Sequence, residues 1–251
     1  MMRRRRTARA ARFRWAFGPT RPLARAVASA AAQALFTPRA DRIIDLIGLE
    51  PGKRYLDLGC GTGAYARLLA GRAGLDEPPV LADIVPGPGA VDVVVWPEQL
   101  PFADASFDCI TCLYFIRRFD DDVVRGLALE LSRVLAPGGA ALVLEIAPVR
   151  NPALDRFHRW LTGAGCAEVD LRGWGRLAAL FTGCGFGAID LVNVGPFLVP
   201  PIPRVGVLLR HFPAAAPSER AHHRLDDAGA VGDAGNAGLQ AGEDIPGDSA
   251  G

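Results

Sequence analysis

Lysine is nearly absent from this chain. Lys53 is the only one among 28 basic residues, and Ala, Gly and Arg abound, a bias that suggests a GC-rich genome. No run approaches the roughly 18 consecutive apolar residues of a membrane-spanning helix, so no transmembrane segment is expected. The five cysteines (Cys60, Cys109, Cys112, Cys166 and Cys184) are odd in number and lack paired spacing. That argues against a disulfide framework and for a reducing, cytoplasmic setting. Cys109 and Cys112 share one hydrophobic stretch, where a strand would turn them to opposite faces, so core packing is favoured over a redox pair or half a zinc site. His222-His223 has no third ligand, and no metal is expected. No internal repeat is visible.

Acidic residues are missing from the first 40 positions, which hold ten Arg. The remaining chain has 28 − 10 = 18 basic and 27 acidic residues, so a near-neutral total hides a basic start and an acidic body. Residues 1–20 read as a basic, disordered arm, an inert solvated leader first and a weak contact for an anionic surface second. Residues 21–212 read as one domain, with helices over 22–49 and a core over 53–210. From Pro213 the chain turns to Ala, Gly, Asp and Ser and reads as a disordered tail, 213–251.

The domain is organised around Arg54-Tyr-Leu-Asp-Leu-Gly-Cys-Gly-Thr-Gly-Ala64. Tyr55, Leu56 and Leu58 are strand formers. Gly59, Gly61 and Gly63 permit positive φ and close approach of a ligand. The helix that follows aims its amino terminus at that ligand. Asp57 would repel a bare pyrophosphate and suits a cationic or hydrogen-donating group. By itself the run Gly59-x-Gly61-x-x-Ala64 also meets a loose dinucleotide fingerprint.

Further strands are predicted at Val80–Ile84, Val91–Val95, Phe107–Leu113, Ala140–Ile146, Ala188–Val192 and Val205–Arg210. Helices are predicted at Arg39–Leu49, Tyr65–Gly71, Asp121–Leu135, Ala153–Gly163 and Leu171–Gly183, with an earlier one at Pro22–Leu35. Nearly continuous apolar strands alternating with helices predict an α/β fold: a Rossmann-like, doubly wound sheet of seven strands, mostly parallel with an antiparallel last strand, covered by helices on both faces. The link from Asp83 to Val91 is too short for a full crossover helix and predicts a clipped loop or single turn.

Four motifs occur in order: Asp57-x-Gly-x-Gly-x-Gly63; Asp83 at the end of the second strand; Leu100-Pro-Phe102-x-Asp104-x-Ser106-Phe-Asp108; and Arg133-Val-Leu-x-Pro137-Gly-Gly139. Together they closely resemble the class I S-adenosylmethionine-dependent methyltransferases of small-molecule type, over about residues 40–192. The resemblance implies that S-adenosyl-L-methionine is the cofactor. It implies that Asp57 and the turn Gly59, Cys60, Gly61 and Gly63 hold its amino-acid end, and that Asp83 takes the ribose hydroxyls. Glu98, Gln99 and Leu100 would line the adenine pocket, and Cys112 and Leu113 would lie near the methylsulfonium. Trp96 stands where relatives often carry an adenine-binding acid, so Glu98 would serve instead or Trp96 would stack on the base. Asp108 reads as a structural cap.

The resemblance implies a small-molecule methyl acceptor. Trp174, Phe181, Phe186, Phe197 and Leu198 suggest an apolar or amphipathic one, and O-, C- and N-methylation all stay open. Methyl transfer needs alignment more than a catalytic residue, and none is assigned; His158, Tyr114 and Glu145 are candidate bases. Arg117-Arg118 reads first as a solvated helix start and second as a grip for an anionic acceptor. No Asn/Asp-Pro-Pro-Tyr run follows the fourth strand, which disfavours amine methylation of that kind. A non-catalytic binding protein on the same fold remains an alternative. A nucleic-acid methyltransferase is disfavoured by the acidic body.

Overall fold

A computed structural model describes residues 39–86, 91–161, 170–194 and 203–212, the side chains of 157–161 excepted. The arginine arm, the helix expected at Pro22–Leu35, the segment with Phe197 and Leu198, and the tail lie outside the described residues. In chain order the elements are α1 (Ala40–Ile47), β1 (Tyr55–Leu58), α2 (Ala64–Ala73), β2 (Val80–Asp83), β3 (Val93–Val94), β4 (Phe107–Leu113), a 3-10 turn (Ile116–Arg118), α3 (Asp121–Val134), β5 (Leu135–Ile146), α4 (Pro152–Leu161), α5 (Trp174–Phe181), β6 (Ala188–Val192) and β7 (Arg204–Arg210).

The strands form one sheet in the order β3-β2-β1-β4-β5-β7-β6. Pairings from β3 through β5 are parallel, and β7 runs antiparallel to both β5 and β6. Alternate side chains feed two cores. Leu56, Leu58, Ile110 and Val143 pack with α3 and α5 on one face. Tyr55, Leu81, Cys109 and Leu142 pack with α1 and α2 on the other. Cys109 and Cys112 therefore fall in different cores, as strand alternation requires. Helix α3 begins where Asp120 accepts from the Val123 N–H at 3.0 Å. It buries Val123, Val124, Leu127, Ala128, Leu131 and Val134, each large side chain contributing roughly 1.5–3 kcal/mol.

Two strands differ from expectation. Only Val93–Val94 of the expected Val91–Val95 joins the ladder. Asp92 replaces ladder bonds with its own: its carboxylate accepts from Leu81 N–H at 2.9 Å and its N–H donates to Leu81 O at 2.8 Å. β5 is longer than expected, because Leu135 already pairs with Phe107 before the register shifts to Cys109↔Ala140. The Pro137-Gly-Gly139 stretch is absorbed into that irregularity. Residues 84–86 after β2 form no helix, and the rest of that short link lies outside the described residues.

The later motifs prove to be one mechanical unit. Arg133 grips Glu130 through both carboxylate oxygens at 2.9 and 2.8 Å. It also donates to the carbonyls of Leu100 and Phe102 and to Asp104 at 3.0, 2.8 and 2.7 Å. Glu130 in turn accepts from Leu100 N–H at 2.7 Å. The arginine fork thus ties the Leu-Pro-Phe loop to α3. Asp108 is a clamp, as expected of a structural residue: its two oxygens take the Arg54 guanidinium at 3.0 Å each, and Oδ2 takes the Arg54 N–H at 2.9 Å. The guanidinium holds the Asp108 carboxyl below its ordinary range.

Candidate active site

The strand order reverses between β1 and β4, so a crevice opens at their carboxyl ends. Asp57 of β1 pairs in register with Thr111 of β4 across that switch point. Asp57 is 6% exposed. Its Oδ1 accepts from the Thr111 hydroxyl at 2.6 Å, and Thr111 accepts from Tyr55 at 2.7 Å. Burial raises the Asp57 carboxyl to about 7, Asp83 pushes the same way, and the Thr111 bond only partly opposes them. A carboxylate in this state binds a cation with little competition from solvent.

The glycine turn joins Asp57 to Asp83. Gly59 and Cys60 N–H groups donate to Ala82 O at 2.7 and 3.1 Å, fixing the turn on the end of β2. Gly61 N–H donates to Asp83 Oδ2 at 2.9 Å, while Oδ1 accepts from Ile84 N–H at 2.7 Å. Gly59 and Gly63 have positive φ, 78° and 66°, and a Cβ at either would overlap Phe115 or Leu81 at 2.5 and 2.4 Å. At Gly61, with φ 58°, a Cβ would meet nothing within 4 Å. Gly59→Ala is therefore expected to lower stability by about 2–4 kcal/mol through overpacking and left-handed strain. Gly61→Ala should lose only about 1 kcal/mol. Thermal melting of the two variants checks the difference.

The remaining expected residues are spread around this cluster. Glu98 and Gln99 are exposed and Leu100 is buried, on a turn closed by Gln99 N–H to Trp96 O at 3.0 Å. Glu98 lies against Gly126 of α3, where an added Cβ would sit 3.0 Å from its Cγ. Leu113 shares the sheet face of Asp57 and Thr111, whereas Cys112 points into the opposite core. Any part Cys112 plays at the site is thus through its backbone.

Arg117 is not a solvated helix start. Its side chain is 13% exposed, and Nη1 lies 3.5 Å from Glu145 Oε2. Glu145 is 2% exposed and accepts from Arg117 and Ile146 N–H at 3.2 and 3.3 Å. Burial raises its carboxyl while Arg117 lowers it, and the group anchors the turn after β4 to β5. Tyr114 stands at the carboxyl end of β4 with φ 56°. Its phenol is pushed up to about 12, chiefly by burial, with Arg204 opposing. The His158 side chain lies outside the described residues.

Sequence reading passed over two arginines. Arg204, 5% exposed, donates to Tyr114 Oη at 3.2 Å and to Val194 O at 2.6 Å. Arg172, 2% exposed, donates to Ile116 O, Phe119 O and Asp121 Oδ1 at 3.2, 2.7 and 2.8 Å. Neither stands in a motif, and only the rarity of buried arginine marks them. Among the described residues no group of His, Cys, Asp and Glu could hold a metal, and no helix is long and apolar enough to cross a membrane. A separate hollow lined by Pro78, Pro79, Phe102 and Phe107 opens at the amino-terminal ends of the strands and shares none of these groups.

The chain is similar to several known proteins. The chain is 35% identical over 131 residues to the ubiquinone/menaquinone biosynthesis C-methyltransferase UbiE of Teredinibacter turnerae, covering 46% of this chain and 51% of that protein. It is 33% identical over 129 residues to the 2-phytyl-1,4-naphtoquinone methyltransferase of Thermosynechococcus vestitus, covering 47% and 56%. The chain thus spans about half the length of these curated relatives. The crystal structure of human N-acetylserotonin methyltransferase in complex with SAM matches with a TM-score of 0.52 at 16% identity, over 72% of this chain and 54% of that one. Identity this low speaks to the fold alone. A family model described as a methyltransferase domain matches residues 30–194, more than half of the chain. On that match and on its sheet order, the chain belongs to the methyltransferase-domain family of class I, S-adenosylmethionine-dependent fold.

Proposed function

We propose that this protein is an S-adenosylmethionine-dependent methyltransferase whose acceptor is a small, largely apolar molecule with a hydroxylated ring. The observation that carries the reading is the joined cluster of Asp57, the Gly59–Gly63 turn and Asp83 at the topological switch point. The donor set fits the cofactor. A buried carboxylate raised to about 7 suits an ammonium group, and Asp83, already fixed by backbone N–H groups, retains lone pairs for hydroxyls. The open space beside Gly61 lets a ligand approach the backbone. The curated relatives are named for ubiquinone/menaquinone biosynthesis and for a naphtoquinone, which favours a ring acceptor.

In this mechanism Asp57 holds the amino-acid end of the cofactor, Asp83 the ribose, and Glu98, Gln99 and Leu100 the side of the adenine. Bound there, S-adenosylmethionine supplies a methyl group already activated on sulfur. The protein's task is then to align the acceptor and exclude water. The arginine-locked Leu-Pro-Phe loop and the Phe115–Gly59 contact keep that alignment rigid. The basic arm and a cytoplasmic setting complete the proposal as a weak anionic surface contact and a reducing location.

Calorimetric titration of the full chain with S-adenosylmethionine, followed by methyl transfer to a panel of hydroxylated aromatic acceptors, tests the reading. One cofactor site and turnover of at least one phenolic or quinol acceptor are expected. Binding without turnover across the panel would make the protein a non-catalytic binder, and absence of binding would remove the reading.

A further inference from the structure

Three polar side chains stand together on one face of the sheet beneath the crevice. Tyr55 and Asp57, two residues apart on β1, project to the same side, and Thr111 of β4 is opposite Asp57 in the ladder. Thr111 is wholly buried and Tyr55 nearly so. Their companions in this core include Leu81, Cys109 and Leu142, so packing by itself calls for no hydroxyl here.

The Tyr55 phenol lies 2.7 Å from Thr111 Oγ1, which lies 2.6 Å from Asp57 Oδ1. A threonine hydroxyl has one proton to give. With Asp57 ionised it goes to the carboxylate, so Tyr55 donates to Thr111. Burial, and then the Asp57 charge, push the Tyr55 phenol up, so it keeps the proton it donates. Two O–H dipoles thus point along one chain to a single carboxylate oxygen. Oδ2 takes no hydrogen bond from the described residues.

We propose that Thr111, backed by Tyr55, is a positioning residue that presents Asp57 to the cofactor, fixing the carboxylate through Oδ1 and leaving Oδ2 to take the ammonium. This role rests on the methyltransferase reading. The terminal torsion of an aspartate is broad, and the Thr111 bond selects one orientation of it. The same bond acts on charge, because a hydrogen bond to the ionised form favours that form. At Asp57 it opposes burial and the Asp83 charge. An arriving ammonium therefore meets a carboxylate already aimed and more readily ionised.

The other titratable groups that feel Asp57 are Cys60 in the glycine turn, Tyr65 of α2 and Cys112 of β4. Arg72 and Arg204 act in turn on Tyr65. Burial pushes both thiols and both phenols up, Cys60 to about 12. They keep their protons between pH 6 and pH 8, and none of them can imitate a titration of Asp57 there.

The test is calorimetric titration of the full chain with S-adenosylhomocysteine, which carries the same amino-acid group, at pH 6 and pH 8. The ratio of wild-type to variant affinity cancels the ligand's own titration. In Thr111→Val the Asp57 carboxyl should ionise about one pH unit higher, so binding weakens about tenfold at pH 6 but only about twofold at pH 8. Tyr55→Phe should show the same pattern with a smaller loss. Thr111→Ser keeps the hydroxyl and should stay within about twofold of the wild type at both. Thr111→Val strands the buried Tyr55 phenol; if that variant does not fold by circular dichroism, Tyr55→Phe decides on the same ratio. A loss equal at the two pH values, no loss, or a Thr111→Ser variant as weak as Thr111→Val overturns the proposal. Absence of binding by the wild type removes the methyltransferase reading and this role with it. An unshifted Asp57 carboxyl in ligand-free Thr111→Val, followed by carbon NMR across the same range, removes this role alone.

Discussion

Asp57→Ala should reduce S-adenosylmethionine binding by at least about 100-fold while the protein stays folded. The residue sits at the switch point, and its carboxylate is 6% exposed. Losing a buried charge that faces a cationic ligand typically costs 2–5 kcal/mol. The variant also lacks the acceptor for Thr111, so Asp57→Asn is the cleaner partner, keeping an oxygen for that bond while removing the charge. The sign of the pH dependence follows from the raised carboxyl. The folded protein ionises Asp57 at about 7 against an ordinary 3.8, so between those values the folded state holds more protons than the unfolded one. Stability of the ligand-free protein should therefore fall as pH rises from about 4 to 7 and level off above. Asp57→Asn should abolish that fall, gaining roughly 2–4 kcal/mol at pH 8. A cation favours the ionised form, so cofactor affinity should weaken about tenfold per unit as pH drops below 7. Thermal melts and calorimetry across pH 5 to 8 measure both slopes; matching slopes in the wild type and Asp57→Asn would refute the assignment.

Arg172→Met should destabilise the protein by about 1–3 kcal/mol, the usual range when a buried group loses its hydrogen-bond donor, since its carboxylate partner Asp121 is 36% exposed. Arg172 holds Asp121 at the start of α3 and the carbonyls of Ile116 and Phe119 in the turn after β4. Methionine fills much of the volume but removes the guanidinium donors, while Ile116 O keeps the Phe119 N–H at 3.1 Å and Asp121 keeps Arg176. Because the same turn carries Arg117, which anchors to Glu145, acceptor turnover should fall further than cofactor affinity. Arg172→Lys should not rescue it, since a point charge cannot serve three acceptors in a plane. Chemical denaturation with cofactor titration measures both effects. A loss under 1 kcal/mol would show that Arg176, which also reaches Asp121 at 2.8 Å, carries the junction by itself.

The parts of this fold that were legible were those set by local periodicity. Phe107–Leu113 and Ala188–Val192 match their strands residue for residue, and Asp121–Leu135 overshoots α3 by one residue. Continuous apolar runs mark buried parallel strands, and little else produces them. Strand ends were less legible because they depend on tertiary hydrogen bonds. Asp92 shortens β3 by substituting a side chain for ladder partners, and Leu135 lengthens β5 by meeting Phe107. The cluster of Asp57, the glycine turn and Asp83 could be picked out because its residues are consecutive or stand at strand ends. The buried arginine contacts could not. Arg204 meets Tyr114 across 90 positions, and Arg172 meets Phe119 across 53. Such pairs exist only once β7 lies beside β5 and α3 beside its turn.

A crystal structure of the full chain with S-adenosylmethionine tests the central claim most directly. The expected result places the cofactor ammonium beside the Asp57 carboxylate and both ribose hydroxyls within hydrogen-bond distance of Asp83, roughly 2.6–3.2 Å, with the amino-acid end lying along the Gly59–Gly63 turn. A cofactor seated elsewhere, or one that leaves Asp57 and Asp83 untouched, would contradict it.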